Sequence, residues 1–250
     1  MADTPSVLIA GITGGIGNAA AQLFAKAGWQ VAGYSRSEEK LSRLVADQPS
    51  WISYAADARV SSQVDAVVGK VLERTGRLDA YVHCVGSILL KPAHSTSDEE
   101  WSETLRLNLD SAFYGLRAAV RPMMKAGGGS IALVSTVAAM AGLPNHEAIA
   151  AAKAGINGLV RSAAATYAPR GVRVNAVAPG MVDSPMAAPL LGSEQARQIS
   201  AGMHPLGRIG RPEDIASLLF WLSSPEAEWV TGQVWSADGG MAALRQRPKA

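Results

Sequence analysis

The chain has one cysteine, Cys84, among 250 residues, and aromatic residues make up only 6% of it. A single thiol excludes an internal disulfide and a metal site built from several cysteines, and it is typical of a reducing compartment. No stretch of about 20 apolar residues offers a membrane span. The first residues lack the basic and apolar segments of a signal peptide. These absences predict a cytoplasmic protein without a membrane partner.

The chain also has little net charge, since 23 Lys and Arg residues face 21 Asp and Glu residues. The only basic run is near the end, at Arg245, Arg247 and Lys249, and we interpret it as a solvated tail. A charge spread this evenly argues against nucleic acid as a partner.

Short β-branched runs alternate with longer alanine-rich helical patterns, which is typical of βα units on a parallel sheet. Strands are expected near 6–10, 30–34, 51–55, 78–83, 130–135, 172–178 and 233–237. Helices are expected near 15–27, 37–47, 61–75, 98–125, 146–168 and 212–222. No linker or repeat divides the chain, so residues 1–250 are predicted to form one doubly wound Rossmann-type α/β domain, with about seven parallel strands and helices on both faces. The prolines and glycines of residues 179–210 predict a substrate lid.

The strongest chemical signal is AGITGGIG, Ala10–Gly17, which follows an apolar run and opens a helical pattern. Its glycines permit positive φ and close approach to a phosphate, and the following helix offers unpaired N–H groups. The segment predicts a dinucleotide-binding loop, with contacts from Gly11, Thr13, Gly15, Ile16 and Gly17. The alternative is an ordinary strand-to-helix turn.

Landmarks along residues 6–241 resemble the short-chain dehydrogenase/reductase family, and in particular its 3-oxoacyl-carrier-protein reductases. The glycine loop matches the family's Thr-Gly-x-x-x-Gly-x-Gly with Ala10 in place of threonine, and PGMVDSPM resembles its Pro-Gly-x-x-x-Thr run. The resemblance implies a nicotinamide cofactor and further contacts to it, at Asp57, Ala58, Val85, Gly86, Lys153, Pro179, Gly180, Val182 and Ser184. The alternative for Asp57, which would contact adenine, is a helix cap.

The segment GYSRSEEKL bears on the choice of cofactor. The family's acidic position is matched by Ser35, and Arg36 follows it. A serine does not repel phosphate, and an arginine binds phosphate through a charge-assisted fork. The resemblance therefore implies NADP(H), with NAD(H) less favoured. The alternative is a surface arginine paired with Glu38 or Glu39.

Three of the family's four catalytic positions are kept. Asn108 matches the residue that holds a relay water, and Lys153 matches the residue that binds the nicotinamide ribose. Thr136 supplies the hydroxyl that polarises the substrate carbonyl, with Ser135 as an adjacent alternative. The fourth position, thirteen residues after Thr136, is Ile149 instead of the proton-transferring tyrosine. An isoleucine cannot transfer a proton.

A substitute for the tyrosine is available in the same helical pattern. At about 100° per residue, His146, Ile149 and Lys153 share one stripe of the predicted helix. Histidine titrates near neutrality and is suited to general acid work. We therefore name His146 as a candidate catalytic residue. The alternatives are a water molecule as the donor and a histidine that only caps the helix or faces solvent.

The segment HCVG, at residues 83–86, departs from the family's Asn-Asn-Ala-Gly. His83 and Cys84 are adjacent on a predicted strand and therefore point to opposite faces. No second His/Cys pair follows, so we predict no metal site.

The expected substrate pocket, formed by residues 87–90, 140–143 and 181–191, is mainly apolar, which favours an apolar small-molecule substrate. In many relatives the C-terminal segments build a tetramer. Trp221, Trp229 and Trp235 would supply the interface of a homotetramer or dimer, or else belong to the monomer core.

Three hypotheses of function remain open. The first is an NADP(H)-dependent carbonyl reductase or alcohol dehydrogenase with a non-standard proton donor. The second is an NADPH-dependent reductase of a conjugated C=C bond, since some relatives with that activity lack the tyrosine. The third is a non-catalytic NADP(H)-binding subunit or sensor.

Overall fold

The computed structural model describes residues 4–244, so the basic residues near the chain end lie outside the described range. Seven parallel strands form one sheet in the order β3-β2-β1-β4-β5-β6-β7. The strands are β1 Ser6–Ala10, β2 Gln30–Ser35, β3 Ile52–Ala55, β4 Ala80–His83, β5 Gly129–Val134, β6 Val172–Pro179 and β7 Val234–Ala237. The order reverses beside β1, which is the doubly wound arrangement that the sequence predicts.

The helices cover both faces of this sheet. They are α1 Gly15–Lys26, α2 Glu38–Asp47, α3 Ser61–Thr75, α4 Asp98–Leu105, α5 Ser111–Lys125, α6 Glu147–Tyr167, α7 Glu194–Gly202 and α8 Pro212–Ser223. One buried apolar cluster joins the sheet to α3, α5 and α6, and a second joins its other face to α1, α2 and α8. Strands buried on both faces explain the nearly continuous apolar runs of β1 and β5.

Two elements differ from the sequence prediction. The single helix expected near 98–125 is interrupted by a π-helical turn, Arg106–Asp110, between α4 and α5. The apolar pattern continues through this turn, so it gives no sign of the change in hydrogen bonding. Helix α7 lies within the segment expected to be an irregular lid. It buries none of its residues and has no apolar face to reveal it, although Ser193 caps it by accepting from the Ala196 amide.

Two contacts join distant parts of the lid segment to each other. Val182 and Gly210 form an isolated parallel bridge, and Asp183 is paired with Arg197 of α7 at 2.9 Å. Its mobility remains a prediction.

Strand register explains how distant residues come together. Ala10, the last residue of β1, lies opposite His83 of β4, and His83 lies opposite Leu133 of β5. The loops that follow these strands therefore open on the same edge of the sheet, where ligands bind in doubly wound folds. None of the helices formed by residues 4–244 has the length and apolarity needed to cross a bilayer.

The three tryptophans do not form one group. Trp229 is 97% exposed, so the core alternative is wrong for this residue. Trp221 packs against the second apolar cluster and meets Trp235 edge to face, with ring centroids 6.0 Å apart.

Candidate active site

The glycine loop is shaped by close backbone contacts. Gly11 has a φ of 76°, and a Cβ on Gly17 would lie 2.3 Å from the carbonyl oxygen of Gly11. Helix α1 begins after Gly14 with no side-chain cap and no acidic residue in its first turn. Its N-terminal N–H groups and partial positive charge are therefore available to an anion. These features fit a pyrophosphate and go beyond an ordinary turn.

The end of β2 presents two groups that fit a phosphorylated ribose. The Ser35 hydroxyl is buried and has no hydrogen-bond partner among residues 4–244. Arg36 is exposed and forms no ion pair within the same range, whereas Glu39 is paired with Arg43 at 2.5 Å. The surface pairing that offered an alternative for Arg36 is absent from this structure. Arg36 therefore forms no ion pair among the described residues, although its charge helps to lower the pKa of the Asp57 carboxyl.

Asp57 and Ala58 follow β3. Asp57 accepts from the guanidinium of Arg59 at 2.6 Å, and this hydrogen bond lowers the pKa of its carboxyl. The N-cap of α3 is Val60, so Asp57 does not cap that helix. Ala58 is buried behind it. The carboxylate is thus held ionised at the adenosine end of the edge.

A cleft of about 380 Å³ opens between the ends of β4, β5 and β6. Predicted site residues that line it are Ile16, Val85, Gly86, Asn108, Thr136, His146, Lys153, Pro179, Gly180, Val182 and Ser184. The other predicted cofactor residues do not line the cleft and lie at or just after the ends of β1, β2 and β3, with two of them in the first turn of α1. They are Gly11, Thr13, Gly15, Gly17, Ser35, Arg36, Asp57 and Ala58. The two groups meet where Gly15 approaches Ser184, since a Cβ on Gly15 would lie 3.2 Å from that side chain.

Lys153 projects from α6 into the buried floor of the cleft. Its Nζ donates to the carbonyl oxygen of Val134 at 2.8 Å. Burial lowers the pKa of Lys153 to about 8, because the protein interior disfavours the charged form. A Cβ on Gly86 would lie 3.3 Å from Nζ and 2.8 Å from Asn108 Oδ1. The missing side chain of Gly86 therefore lets the lysine and the asparagine approach the same point.

Asn108 lies on the π-helical turn and is fully buried. Its Nδ2 donates to the Thr104 carbonyl and to Ser87 Oγ, both at 3.0 Å, and its Oδ1 accepts from the Ser87 amide at 3.0 Å. These bonds use both N–H groups of the side chain. Asn108 is therefore locked in one orientation.

The structure separates the two candidate hydroxyls. Ser135 is buried and donates to Asn157 Oδ1 at 2.7 Å. Thr136 is only partly buried and accepts a bond from the Ala138 amide at 3.3 Å, which leaves its hydroxyl hydrogen for another acceptor. Both residues line the cleft, but only the Thr136 hydroxyl has no acceptor for its hydrogen among the described residues.

Ile149 and His146 both line the cleft, although His146 precedes the first turn of α6 and is not on its helical stripe. Ile149 is 5% exposed. His146 is the N-cap residue of α6, follows Asn145 with a φ of 63°, and makes no capping bond with its side chain. Its Nδ1 bonds the Pro144 carbonyl at 2.7 Å, so Nδ1 is a donor and Nε2 is left without a partner among the described residues.

Several residues of the cleft were not predicted, namely Cys84, Val134, Val137, Ser200, Met203, His204 and Met241. Ser200, Met203 and His204 belong to α7 or follow it, and that helix was not predicted. His204 is almost fully buried and accepts from the Met181 amide at 3.1 Å. It therefore ties α7 to the turn after β6. Among expected pocket residues, Met140 does not line the cleft and is half exposed.

The adjacent His83 and Cys84 do not form part of a metal cluster. Within residues 4–244, no three His, Cys, Asp or Glu side chains are grouped as ligands. Both ring nitrogens of His83 are bonded to hydroxyls. Burial raises the pKa of Cys84 to about 12, which keeps the thiol protonated.

The parallel sheet, the glycine loop and the cleft at its edge define an enzyme of the dinucleotide-binding Rossmann class. A sequence profile of that class, described as enoyl-(acyl carrier protein) reductase, matches residues 11–242. The chain belongs to the short-chain dehydrogenase/reductase family of oxidoreductases.

Characterised relatives cover nearly the whole chain. The 3-oxoacyl-acyl-carrier-protein reductase FabG of Thermotoga maritima is 37% identical over 238 residues, which are 94% of this chain and 96% of that protein. The 3beta-hydroxysteroid dehydrogenase 1 of Eggerthella lenta is 33% identical, over 94% of this chain and 93% of that protein. The solved structure of ElxO with NADP bound is 26% identical and has a TM-score of 0.92, covering 96% of this chain and all of that one.

Proposed function

We propose that this protein is an NADP(H)-dependent oxidoreductase that transfers hydride between the nicotinamide and a carbonyl or alcohol of an apolar substrate, with His146 in place of the usual tyrosine. The observation that carries the proposal is the cleft itself. It gathers the Thr136 hydroxyl, the Lys153 ammonium and the His146 imidazole around Ile149. The same cofactor class is bound in the solved structure of ElxO.

NADP(H) is supported by the free guanidinium of Arg36 and the unpartnered hydroxyl of Ser35. An arginine without a carboxylate partner can form charge-assisted bonds to a 2′-phosphate. Lys153 would bind the nicotinamide ribose as it does in relatives, and its low dielectric surroundings strengthen that bond.

Each remaining residue has a definable task in carbonyl reduction. When bound, the reduced nicotinamide supplies the hydride that the carbonyl carbon accepts. Thr136 donates a hydrogen bond to the carbonyl oxygen and polarises it. In its imidazolium form, His146 keeps its Nδ1 hydrogen on the Pro144 carbonyl and transfers the proton on Nε2 to that oxygen, which completes the alcohol and leaves the ring neutral. In alcohol oxidation the same nitrogen accepts the proton.

The walls of the cleft support an apolar, uncharged substrate. Apolar side chains from the lid segment and from the segments that follow β4, β5 and β7 line it, namely Ile88, Leu90, Leu143, Met181, Met186, Leu190, Met203 and Met241. Of the described residues, the lining includes no Asp, Glu or Arg. A positively charged group on the substrate would be desolvated there without a carboxylate partner, which is costly. Several methionines suit a pocket that adapts to more than one shape.

A second function, reduction of a conjugated C=C bond, is supported by the matching profile, whose description names an enoyl reductase. In that reaction the proton is added to a carbon atom. A tyrosine hydroxyl placed beside a carbonyl oxygen is therefore not required. Ketone and enone panels with NADPH oxidation as the readout separate the two reactions.

The decisive experiment compares the native protein with the variants Ile149→Tyr and His146→Ala. Each protein is assayed on the ketone panel and on the enone panel. We expect His146→Ala to lower kcat about 10²-fold while NADPH still binds, because that is the usual contribution of general acid catalysis. An unchanged rate would reject His146 and leave water as the donor.

Ile149→Phe is the matched control for Ile149→Tyr, since it adds the same ring without the hydroxyl. A gain of activity with tyrosine alone shows that the site lacks only a proton donor. If the native protein shows no turnover and Ile149→Tyr creates it, the native chain is a non-catalytic NADP(H)-binding subunit. Failure to bind either NADPH or NADH would overturn the whole proposal.

A homo-oligomer is also proposed. Trp229 and Trp235 leave apolar surface exposed on the β7 side of the domain. Sedimentation of the native protein and of Trp229→Glu tests this, and a native monomer would contradict it.

A further inference from the structure

The sheet contains a buried chain of hydroxyls and one imidazole that the reaction does not use. Tyr34 of β2 contacts Tyr81 of β4 through their hydroxyl oxygens at 3.1 Å. Tyr81 Oη lies 2.9 Å from His83 Nδ1, and His83 Nε2 lies 3.1 Å from Ser111 Oγ. Ser111 Oγ then donates to the Leu107 carbonyl at 2.6 Å. The four side chains are fully buried.

Only one arrangement of protons satisfies this chain. The Ser111 hydroxyl has one hydrogen, which it donates to Leu107, so it must accept from His83. His83 therefore carries its proton on Nε2, and its Nδ1 accepts from Tyr81. Burial lowers the pKa of His83 to about 3, so the ring is neutral and has a single N–H to place. Burial also raises the pKa of Tyr34 to about 12 and that of Tyr81 above its usual value, so both phenols keep their hydrogens.

This series of hydrogen bonds ends on the π-helical turn that carries Asn108. The Ser111 amide bonds the carbonyl of Arg106, five residues back, and so does not take Leu107 as it would in an α-helix. The hydroxyl of the same serine bonds Leu107 instead. His83 orients that hydroxyl, because its N–H occupies the serine lone pair and directs the serine hydrogen toward the carbonyl. The turn is thereby tied to the central strand β4.

The neighbouring helix is built to accommodate this network. A Cβ on Gly115 of α5 would lie 1.9 Å from the Tyr81 hydroxyl oxygen. A glycine inside a helix is unfavourable by about 1 kcal/mol relative to alanine. Its presence opens the slot through which Tyr81 reaches His83.

We infer that His83 is a positioning residue for the active site, which acts through Ser111 to hold the π-helical turn and, with it, Asn108 against Ser87 and Gly86. Asn108 is the residue next to Leu107 in this turn, and its side chain bonds Ser87 at the entrance to the cleft. A displaced turn would move Asn108 away from Lys153, since both approach Gly86. The kinetic part of this inference rests on the proposed function.

The first test uses kinetics with matched variants of the same network. Ser111→Ala and His83→Phe are expected to lower kcat about tenfold to a hundredfold, which is the usual effect of a displacement near 1 Å, with NADPH affinity unchanged within about twofold. His83→Gln, whose amide reaches the Nε2 position, is expected to restore most of the rate. Tyr34→Phe removes the hydroxyl at the far end of this hydrogen-bond network and should lower Tm without lowering kcat. Native kcat in Ser111→Ala, or losses in kcat that follow Tm across all four variants, would refute the positioning role.

The second test needs no turnover and so separates this inference from the proposed function. Nitrogen NMR of the imidazoles, assigned with His83→Gln, should show His83 as the neutral Nε2–H tautomer from pH 5 to pH 9. Hydrogen exchange measured without substrate should be faster at residues 106–112 in Ser111→Ala and His83→Phe, but not in Tyr34→Phe. The opposite tautomer, a ring that titrates in this range, or unchanged exchange at the turn would overturn the inference.

Discussion

The candidate site extends along the carboxyl-terminal edge of the sheet, and its two ends are built in different ways. At the adenosine end, the decisive features are backbone ones, such as the close approach of Gly17 to Gly11 and the open N-terminus of α1. At the reaction end, they are side chains held by long-range hydrogen bonds, such as Lys153 on Val134 and Asn108 on Ser87. The backbone end resembles the family pattern almost unchanged, whereas at the side-chain end we predict that Ile149 stands at the family's tyrosine position. We therefore expect variants of the backbone end to change cofactor affinity and variants of the side-chain end to change the rate, with Lys153 shared by both.

The largest expected effect tests whether the backbone shape of the glycine loop governs NADPH binding. In Gly17→Ala the new Cβ would lie 2.3 Å from a backbone oxygen that cannot move aside. We expect NADPH binding to be lost, as measured by a fluorescence titration. Gly158→Ala in α6 is the control, because nothing lies within 4 Å of its Cβ position. It should raise helix stability by up to about 1 kcal/mol and leave binding intact. Equal affinity in both variants would contradict the comparison.

The next effect is confined to the end of β2. Arg36→Ala should weaken NADPH binding about tenfold to a hundredfold, since hydrogen bonds to charged groups contribute about 1.5–3 kcal/mol. NADH binding should not change. Arg43→Ala, which removes an arginine already paired with Glu39, is the control and should affect neither cofactor. A parallel loss of NADPH and NADH affinity would show that Arg36 has only a general electrostatic role.

The smallest expected effect is a pH dependence of NADPH affinity. It arises from Lys153, which belongs to the reaction end of the site but would also bind the cofactor. Because its pKa is lowered to about 8, the ammonium is lost as pH rises through that value. NADPH affinity should fall about tenfold between pH 7 and pH 9.5, as a charged hydrogen bond is replaced by a weaker neutral one. Lys153→Arg should remove this pH dependence, because an arginine stays charged. A pH-independent native affinity would exclude the lysine as a charged ribose ligand.

The lowered pKa of Lys153 also fixes the direction in which its contribution to the free energy of unfolding changes with pH. Between about pH 8 and the ordinary lysine pKa of 10.5, the unfolded chain holds the proton that folded Lys153 has released. The contribution of this group to the free energy of unfolding therefore rises with pH in that window. Lys153→Met should flatten this part of the stability curve in chemical denaturation.

Much of the site was predictable because its signals are local. Gly11, Arg36, Lys153 and the Ile149 substitution stand within short motifs with fixed spacing. Ser135 and Thr136 were indistinguishable in the sequence, and only the contact of Ser135 with Asn157 assigned one to the core. Helix α7 escaped prediction because it buries no apolar face.

The sequence by itself determined the order of the seven strands and the helices between them, because periodicity records which residues face which layer. The tertiary structure decided what each buried polar group does. The partners of His83, Tyr81 and Ser111 are brought together by strand register and helix packing across separations of up to 47 residues. No local pattern encodes such a bond, since each partner is chosen by the packing of elements that are distant in the chain.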